Sequence, residues 1–547
     1  MKKTSSKLLC LALVLIMVMS MIACGNTTGN GPGDDYYNQT GYPICDETIT
    51  ISVTGGQGAS LDWNNTYFVK YVEEELGIRL DCAPAPDAAT YYTTSIASGN
   101  IPDLWVNMGM DINQVAIDGA DGYWLDFSEY MHLMPNLKAL MDKYPDFAKF
   151  ITEEDGSIYA LGRVNPGIAA EARAMIYYEK DVVTAAGVTG EIKTINDFYN
   201  ALKAVKAKYP DKTPLAITFG AQPAFNADII LRTAFGIPFG DNQYMIYEDE
   251  NGKVQLGDIS ENNKAYLEWL NKLHSEGLLK IYTGDRTQYR AEIAEHEFVF
   301  WSDSAGPTFW DNLANVGMIA ALTNAPYTTE SSYLLNTNIT NQARIFVNAE
   351  TEYPEAICRF IDFLCTEKGQ YLACYGDEGV HFDLPTDAYG AKYLDAKKYA
   401  IAAGYTTPDG NADTGTFHNK VVAPNQAFAL VWGVLGEQYY DFDKETLAAM
   451  AADPACADQW TAMIAEALEG VDNVTYRKDQ IIRYTEDEAS ERKTKYTDLV
   501  NHLKAYRVAF IQGTSDLSWE QYVAKTKTMG WDFLQPIEQA AWDRIWG

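Results

Sequence analysis

Apolar and polar residues alternate over Thr48–Val53, where Ile49, Ile51 and Val53 share one face, so this run predicts a strand with a single buried side. Phe68, Tyr71, Val72 and Leu76 then recur at helical spacing, and Gly77 stands where a C-terminal cap is expected. Ile78, Leu80 and Cys82 alternate again. A second helix is predicted over Ala88–Ala97, ending at Ser98-Gly99, with a further strand over Ile101–Val106. Strand, helix and strand in that order imply parallel strands joined by a right-handed crossover. The alternation continues along the chain without a repeat, which makes the class α/β. Ligands of open α/β sheets sit beyond the carboxyl ends of the strands. Two such ends are GGQGASLDW, with Gly56, Gln57 and Trp63, and the residues from Asn107 that follow DLWV.

Ahead of the first strand the pattern changes. Lys2, Lys3 and Lys7 precede an apolar run from Leu8 to Ile22, which reads as a secretory signal and is shorter than the roughly 20 residues a membrane span needs. Met21-Ile22-Ala23-Cys24 resembles a bacterial lipobox, although leucine is more usual than Met21. The expectation is a signal peptide over 1–23, acylation of Cys24, and a Gly-, Asn- and Pro-rich tether over 24–46. Such a protein stands on the extracellular face of the cell membrane, held by its lipid.

Charge narrows the partners. Seventy-five acidic residues against 42 basic ones give a formal charge of −33, and the signal contributes only lysines. An acidic surface argues against nucleic acid, which needs Lys and Arg, and counts against polyuronate ligands. With 47% hydrophobic residues, a chain of this length suffices for two or more domains.

The common catalytic signatures fail in turn. GGQGASL has Leu61 where a dinucleotide fingerprint needs its third glycine, so a glycine turn or a close backbone approach to a ligand remains. The six histidines are scattered, with no HExxH, and no GxSxG elbow occurs. Asp409, Asn411 and Asp413 imitate a calcium loop, but Lys420 stands where its bidentate glutamate belongs. Cys45, Cys82, Cys358, Cys365, Cys374 and Cys456 show neither CxxC nor zinc spacing and read as buried thiols, a Cys45–Cys82 bridge being left open. No cofactor and no metal is expected. What remains is aromatic: 12 Trp and 36 Tyr, several at turns. Trp63 follows the glycine loop, Trp301 and Trp310 flank SDSAGPTF behind the strand-like EFVF, and Trp432 precedes Gly433. Most aromatics pack in cores, but flat rings beside short polar groups also hold sugars.

ASGNIPDLWV, GYWLDFSEYM, DGSIYALGRV, AMIYYEKDVVTAAGV and YPEAICRFIDFLCTEKGQYLACYGDEGVHF, in that order, resemble segments of a known family. It is the extracellular solute-binding proteins of bacterial ABC importers, family 1, and within it the long lipoprotein branch that includes alginate-oligosaccharide binders. The resemblance implies a type II clamshell of two α/β lobes, each a mainly parallel sheet flanked by helices, closing on a solute. It places lobe 1 at 47–161 plus about 343–405, and lobe 2 at 165–336 plus about 410–547. The crossings fall near Ala160–Asn165, near Asn336–Gln342, and near Thr407. It implies a monomer that binds an oligosaccharide, passes it to the permease subunits, and catalyses nothing. Trp301 and then Trp310 are the stacking candidates, with Asp303 accepting hydroxyl hydrogen bonds and Gly56, Gln57, Asn107, Trp63 and Trp432 completing the cleft. The family's calcium loop is shortened to Lys208–Pro214 and loses its ligands. A surface glycoside hydrolase and a peptide-binding clamshell are the alternatives.

Overall fold

The computed structural model describes residues 36–56, 62–168, 172, 175–219, 227–237, 245–283, 286–303, 310–335, 339, 342–476, 478 and 482–547. Cys24 and the expected signal and most of the tether lie outside them, as do Gln57 and most of the expected second crossing.

The predicted opening unit is present. Strand β1 (Ile49–Gly55) runs parallel to β2 (Ile78–Cys82) and to β3 (Leu104–Asp111). The helix Tyr67–Leu76 between them starts where the Thr66 hydroxyl accepts from Val69 N at 3.2 Å. It stops at Gly77, whose φ of 71° is the left-handed conformation that favours glycine. β3 begins later than the apolar pattern suggests. Pro102 has no N–H for the ladder, and the Asp103 carboxylate takes over, accepting from Ser52 N at 2.8 Å, Ser52 Oγ at 2.6 Å and Thr351 Oγ1 at 2.7 Å. The Pro-Asp pair of the family-like segment is thus a clasp between strands. The strand Gln342–Val347 adds antiparallel to β3, giving the order Gln342–Val347, β3, β1, β2.

A second sheet runs Val316–Ile319, β4 (Ile176–Glu179), Phe298–Trp301, β5 (Thr213–Thr218), Leu279–Tyr282. It departs from the mainly parallel expectation. β5 is parallel to both its neighbours, but β4 is antiparallel to both of its own.

Each sheet has its own hydrophobic core, and the two cores trace the lobes. The first gathers Ile44–Val164, Ile339–Cys374 and Ala427–Val431; the second gathers Ile168–Leu335 and most of the chain from Tyr439 to Trp542. Ala391 belongs to the second core, whereas Ala427–Val431 belong to the first, where Val431 pairs in parallel with Val164. Val434 still packs against the first core, and Tyr439 belongs to the second. The C-terminal helices complete the second lobe. Arg507 in the helix Glu486–Gln512 donates to Asp258 at 2.8 Å with both side chains buried. All six described cysteines are free and buried, so Cys45 and Cys82 are not bridged.

Candidate functional site

The three crossings meet in one place. Val164 bridges Ile339 on one side and Val431 on the other, with Val164 N donating to Leu430 O and Trp432 N to Val164 O, both at 2.8 Å. Beyond this ribbon the first and third crossings touch backbone to backbone. A Cβ on Gly167 would stand 2.5 Å from Gly433 O, and one on Gly436 would stand 2.9 Å from Gly167 Cα. Only glycine permits that approach.

Beside this contact opens a cavity of about 330 Å³ lined by Gly167, Tyr375, Tyr393, Trp432, Asp458 and Thr461, among others. That volume suits a small ligand. Its walls come from both lobes. Tyr375 and Trp432 pack against the first core, whereas Thr461 lies on the helix Gln459–Glu469, whose apolar residues belong to the second. Asp458 caps that helix and accepts from Thr461 Oγ1 at 2.9 Å. Burial pushes the Asp458 carboxyl above its usual range, against the lowering effect of the Thr461 and Tyr439 hydroxyls. Burial likewise holds the Tyr375 phenol protonated far above its ordinary pKa. The arrangement offers aromatic faces, hydroxyls and one carboxylate across the passage between lobes. That can grip a polyhydroxylated ring and offers no obvious nucleophile.

Cations border it. The Arg163 guanidinium lies 4.9 Å from the centre of the Trp432 ring. Arg344, on the strand that follows the second crossing, is only 8% exposed; burial first and the like charge of Arg163 second bring its pKa down to about 9. Elsewhere the lobes touch through polar contacts: Tyr484 N donates to Asn113 Oδ1 at 3.3 Å, Arg544 pairs with Glu154 at 2.9 Å, and Arg483 pairs with Glu153. Among the described residues no cluster of His, Cys, Asp and Glu could hold a metal ion.

The residues singled out in the sequence do not converge. Trp432 lines the cavity. Trp301, expected to face a ligand, is fully buried in the second core with the Tyr177 ring centre 6.2 Å away. The reason is positional: Phe298–Trp301 is an interior strand with every residue buried, and Trp301 still pairs with Tyr177 inside the sheet. Trp63 is 2% exposed, packed in the first core with Phe428 at 5.9 Å between ring centres. Asp303 is buried, and its two oxygens accept from Arg290 at 2.9 and 3.0 Å in an ion pair. Gly56 directly follows β1, where an added Cβ would come 3.0 Å from Ala88 Cβ, so a neighbouring helix already requires that glycine to be small. Asn107 is buried with φ 49°, a left-handed residue inside β3. The Trp310 side chain lies outside the described residues. Tyr375, Tyr393, Asp458, Thr461, Arg163 and Arg344 escape sequence reasoning because they are far apart in the chain and no local motif joins them. Arg163 and Tyr375 had a signal, each lying inside a family-like segment, Arg163 two residues after the YAL of DGSIYALGRV and Tyr375 in the run that ends at EGVHF.

The model of the family described as bacterial extracellular solute-binding protein matches residues 66–380, more than half of the chain. The chain belongs to the bacterial extracellular solute-binding proteins. The fructooligosaccharide ABC transporter substrate-binding protein FusA of Streptococcus pneumoniae is 25% identical to this solute-binding protein over 313 residues, 54% of this chain. The match spans 57% of the length of that curated relative. Among solved structures, an extracellular solute-binding protein from Bifidobacterium longum subsp. infantis superposes with a TM-score of 0.72 at 16% identity, covering 91% of this chain and 98% of that one. FusA of S. pneumoniae in complex with kestose superposes with a TM-score of 0.64 at 17% identity, covering 91% and 99%. At such identities these structures show the fold, a two-lobed type II clamshell.

Proposed function

We propose that this solute-binding protein captures an oligosaccharide between its lobes and hands it to the transmembrane subunits of an ABC importer, without covalent chemistry. The carrying observation is the cavity at the crossings, where Trp432 and Tyr375 from one lobe face Asp458 and Thr461 from the other. A solute touching both walls favours the closed arrangement by its differential affinity for it, and closure is the signal a permease can read. FusA, a relative described as fructooligosaccharide-binding, supports a carbohydrate as the class of solute. The experiment is a thermal-shift screen of neutral and acidic oligosaccharides and of peptides, followed by calorimetric titration of the hits and mass spectrometry of the bound glycan. The expected outcome is saturable binding with the glycan recovered intact. Cleavage products would favour the hydrolase, and a response to peptides alone would move the proposal to the peptide clamshell.

The same reading puts a lipid at Cys24. Among the described residues no helix is long and apolar enough to cross a membrane, and a diacylglyceryl cysteine would tether the protein beside its permease. Mass spectrometry of protein extracted from its own membrane is expected to find the mature chain starting at an acylated Cys24. An unmodified chain starting elsewhere would remove the anchor from the proposal.

A further inference from the structure

Arg344 is a charge buried without compensation. It lies on the strand Gln342–Val347, directly after the second crossing, with 8% of its surface exposed. Among the described residues its Nε finds no acceptor and its guanidinium forms no ion pair. The charged group that acts on it is Arg163, of the same sign. A buried cation without a partner costs several kcal/mol, and a second cation beside it adds to that cost. Other buried arginines in this protein are answered: Arg507 by Asp258 at 2.8 Å and Arg232 by Asp228. Among the described residues Arg344 has no such ion pair, and its backbone N–H donates to Leu161 O at 2.7 Å, beside the first crossing. Arg163 links it to the cavity, because the Arg163 guanidinium lies 4.9 Å from the ring of Trp432, which lines that cavity.

We infer that the solute of this site is an acidic oligosaccharide, whose anionic group approaches Arg344 and Arg163 while a ring stacks on Trp432. The inference rests on the reading of the protein as an oligosaccharide binder and adds the charge of the ligand to it. A carboxylate or a sulfate ester meets the geometry of a guanidinium, which offers paired N–H donors to two oxygens at once. Such a ligand would bring Arg344 a counter-charge only when bound, so the cost of burying that one cation becomes selectivity. The excess of acidic residues does not oppose this. It resides mostly on a solvated surface, where salt screens each charge within about 8 Å, whereas the arginines act inside the protein. Asp458 opposes an anion from the other wall, but its carboxylate already accepts from Thr461, which leaves the acidic group the side of the site formed by the first and second crossings.

The test uses the mature protein and matched probes: a neutral trisaccharide, the same trisaccharide oxidised to its uronide, and its sulfate ester, across several backbones. Calorimetric titration is expected to show one acidic probe bound at least tenfold more tightly than its neutral counterpart, with an affinity that falls as sodium chloride is raised. The uronide and sulfate arms tell which anion it is. Arg344→Gln is expected to reduce affinity for that acidic probe about tenfold and to leave the neutral one unchanged. Because the substitution removes an unpaired buried charge, the melting temperature should stay level or rise; a purely structural arginine would lower it. Arg344→Lys keeps the charge and should restore part of the preference. Equal affinity for acidic and neutral probes, or an equal loss of both in Arg344→Gln, overturns the inference and leaves oligosaccharide capture standing. Binding of no glycan at all removes the reading on which both depend.

Discussion

Trp301→Ala is expected to lower the free energy of unfolding by about 3–5 kcal/mol, the range for removing a large aromatic from a packed core. Trp301 is fully buried, ends an interior strand of the second sheet, and packs beside Tyr177. Its neighbours sit in a sheet with every position of that strand buried, so the hole cannot easily be filled by collapse. Affinity for the solute should be unchanged in the protein that remains folded. Urea unfolding followed by circular dichroism, beside a calorimetric titration of the folded fraction, separates the two effects. The lobes have separate cores, so the loss should appear in the transition of the second lobe wherever two transitions resolve. A variant of normal stability that has lost its ligand would return Trp301 to the binding site, where its place behind EFVF first suggested it.

For Trp432→Ala the signs reverse. Trp432 is half-buried, lines the cavity at the crossings, and carries Arg163 against its ring. Removing it takes away a stacking face and the contact that holds a guanidinium in place. The expected loss is about 2 kcal/mol of binding energy, roughly thirtyfold in Kd. Melting should change less than in Trp301→Ala, because the half-buried ring packs only at the edge of the first core. Trp432→Phe, which keeps a flat apolar face, should recover most of the affinity. If truncation leaves Kd as it was, the cavity at the crossings is not where the solute sits, and the search moves to the other contact between the lobes, where Asn113 meets Tyr484.

The opening β-α-β unit was legible in the sequence because its determinants are local. Alternation fixed which face of β1 and β2 is buried, Gly77 ended the helix where a left-handed residue was needed, and the strands had to run parallel. The family-like segments were legible for the same reason. Asp103 clasps β1 to β3, and Asp126 accepts from Ser128 N and Ile158 N, each at 2.9 Å, so those residues hold the scaffold whatever solute is carried. Trp432 was named from its place at a turn, and the structure puts it at the cavity.

Only the tertiary structure decided which aromatics fill a core and which line a cavity. A tryptophan at the end of a strand looks the same in a sequence whether its strand is at an edge or inside a sheet, and the second sheet places Trp301 inside. The third crossing is a bridge between Val164 and Val431, residues far apart in the chain, so periodicity holds no trace of it. The cavity likewise gathers Gly167, Tyr375, Trp432 and Asp458 from segments that no motif connects. The charge of the site is the clearest case. Composition counts every ionisable group equally, but burial and distance decide which of them act on a ligand, and beside the crossings they bring Arg344 and Arg163 together within an otherwise acidic protein.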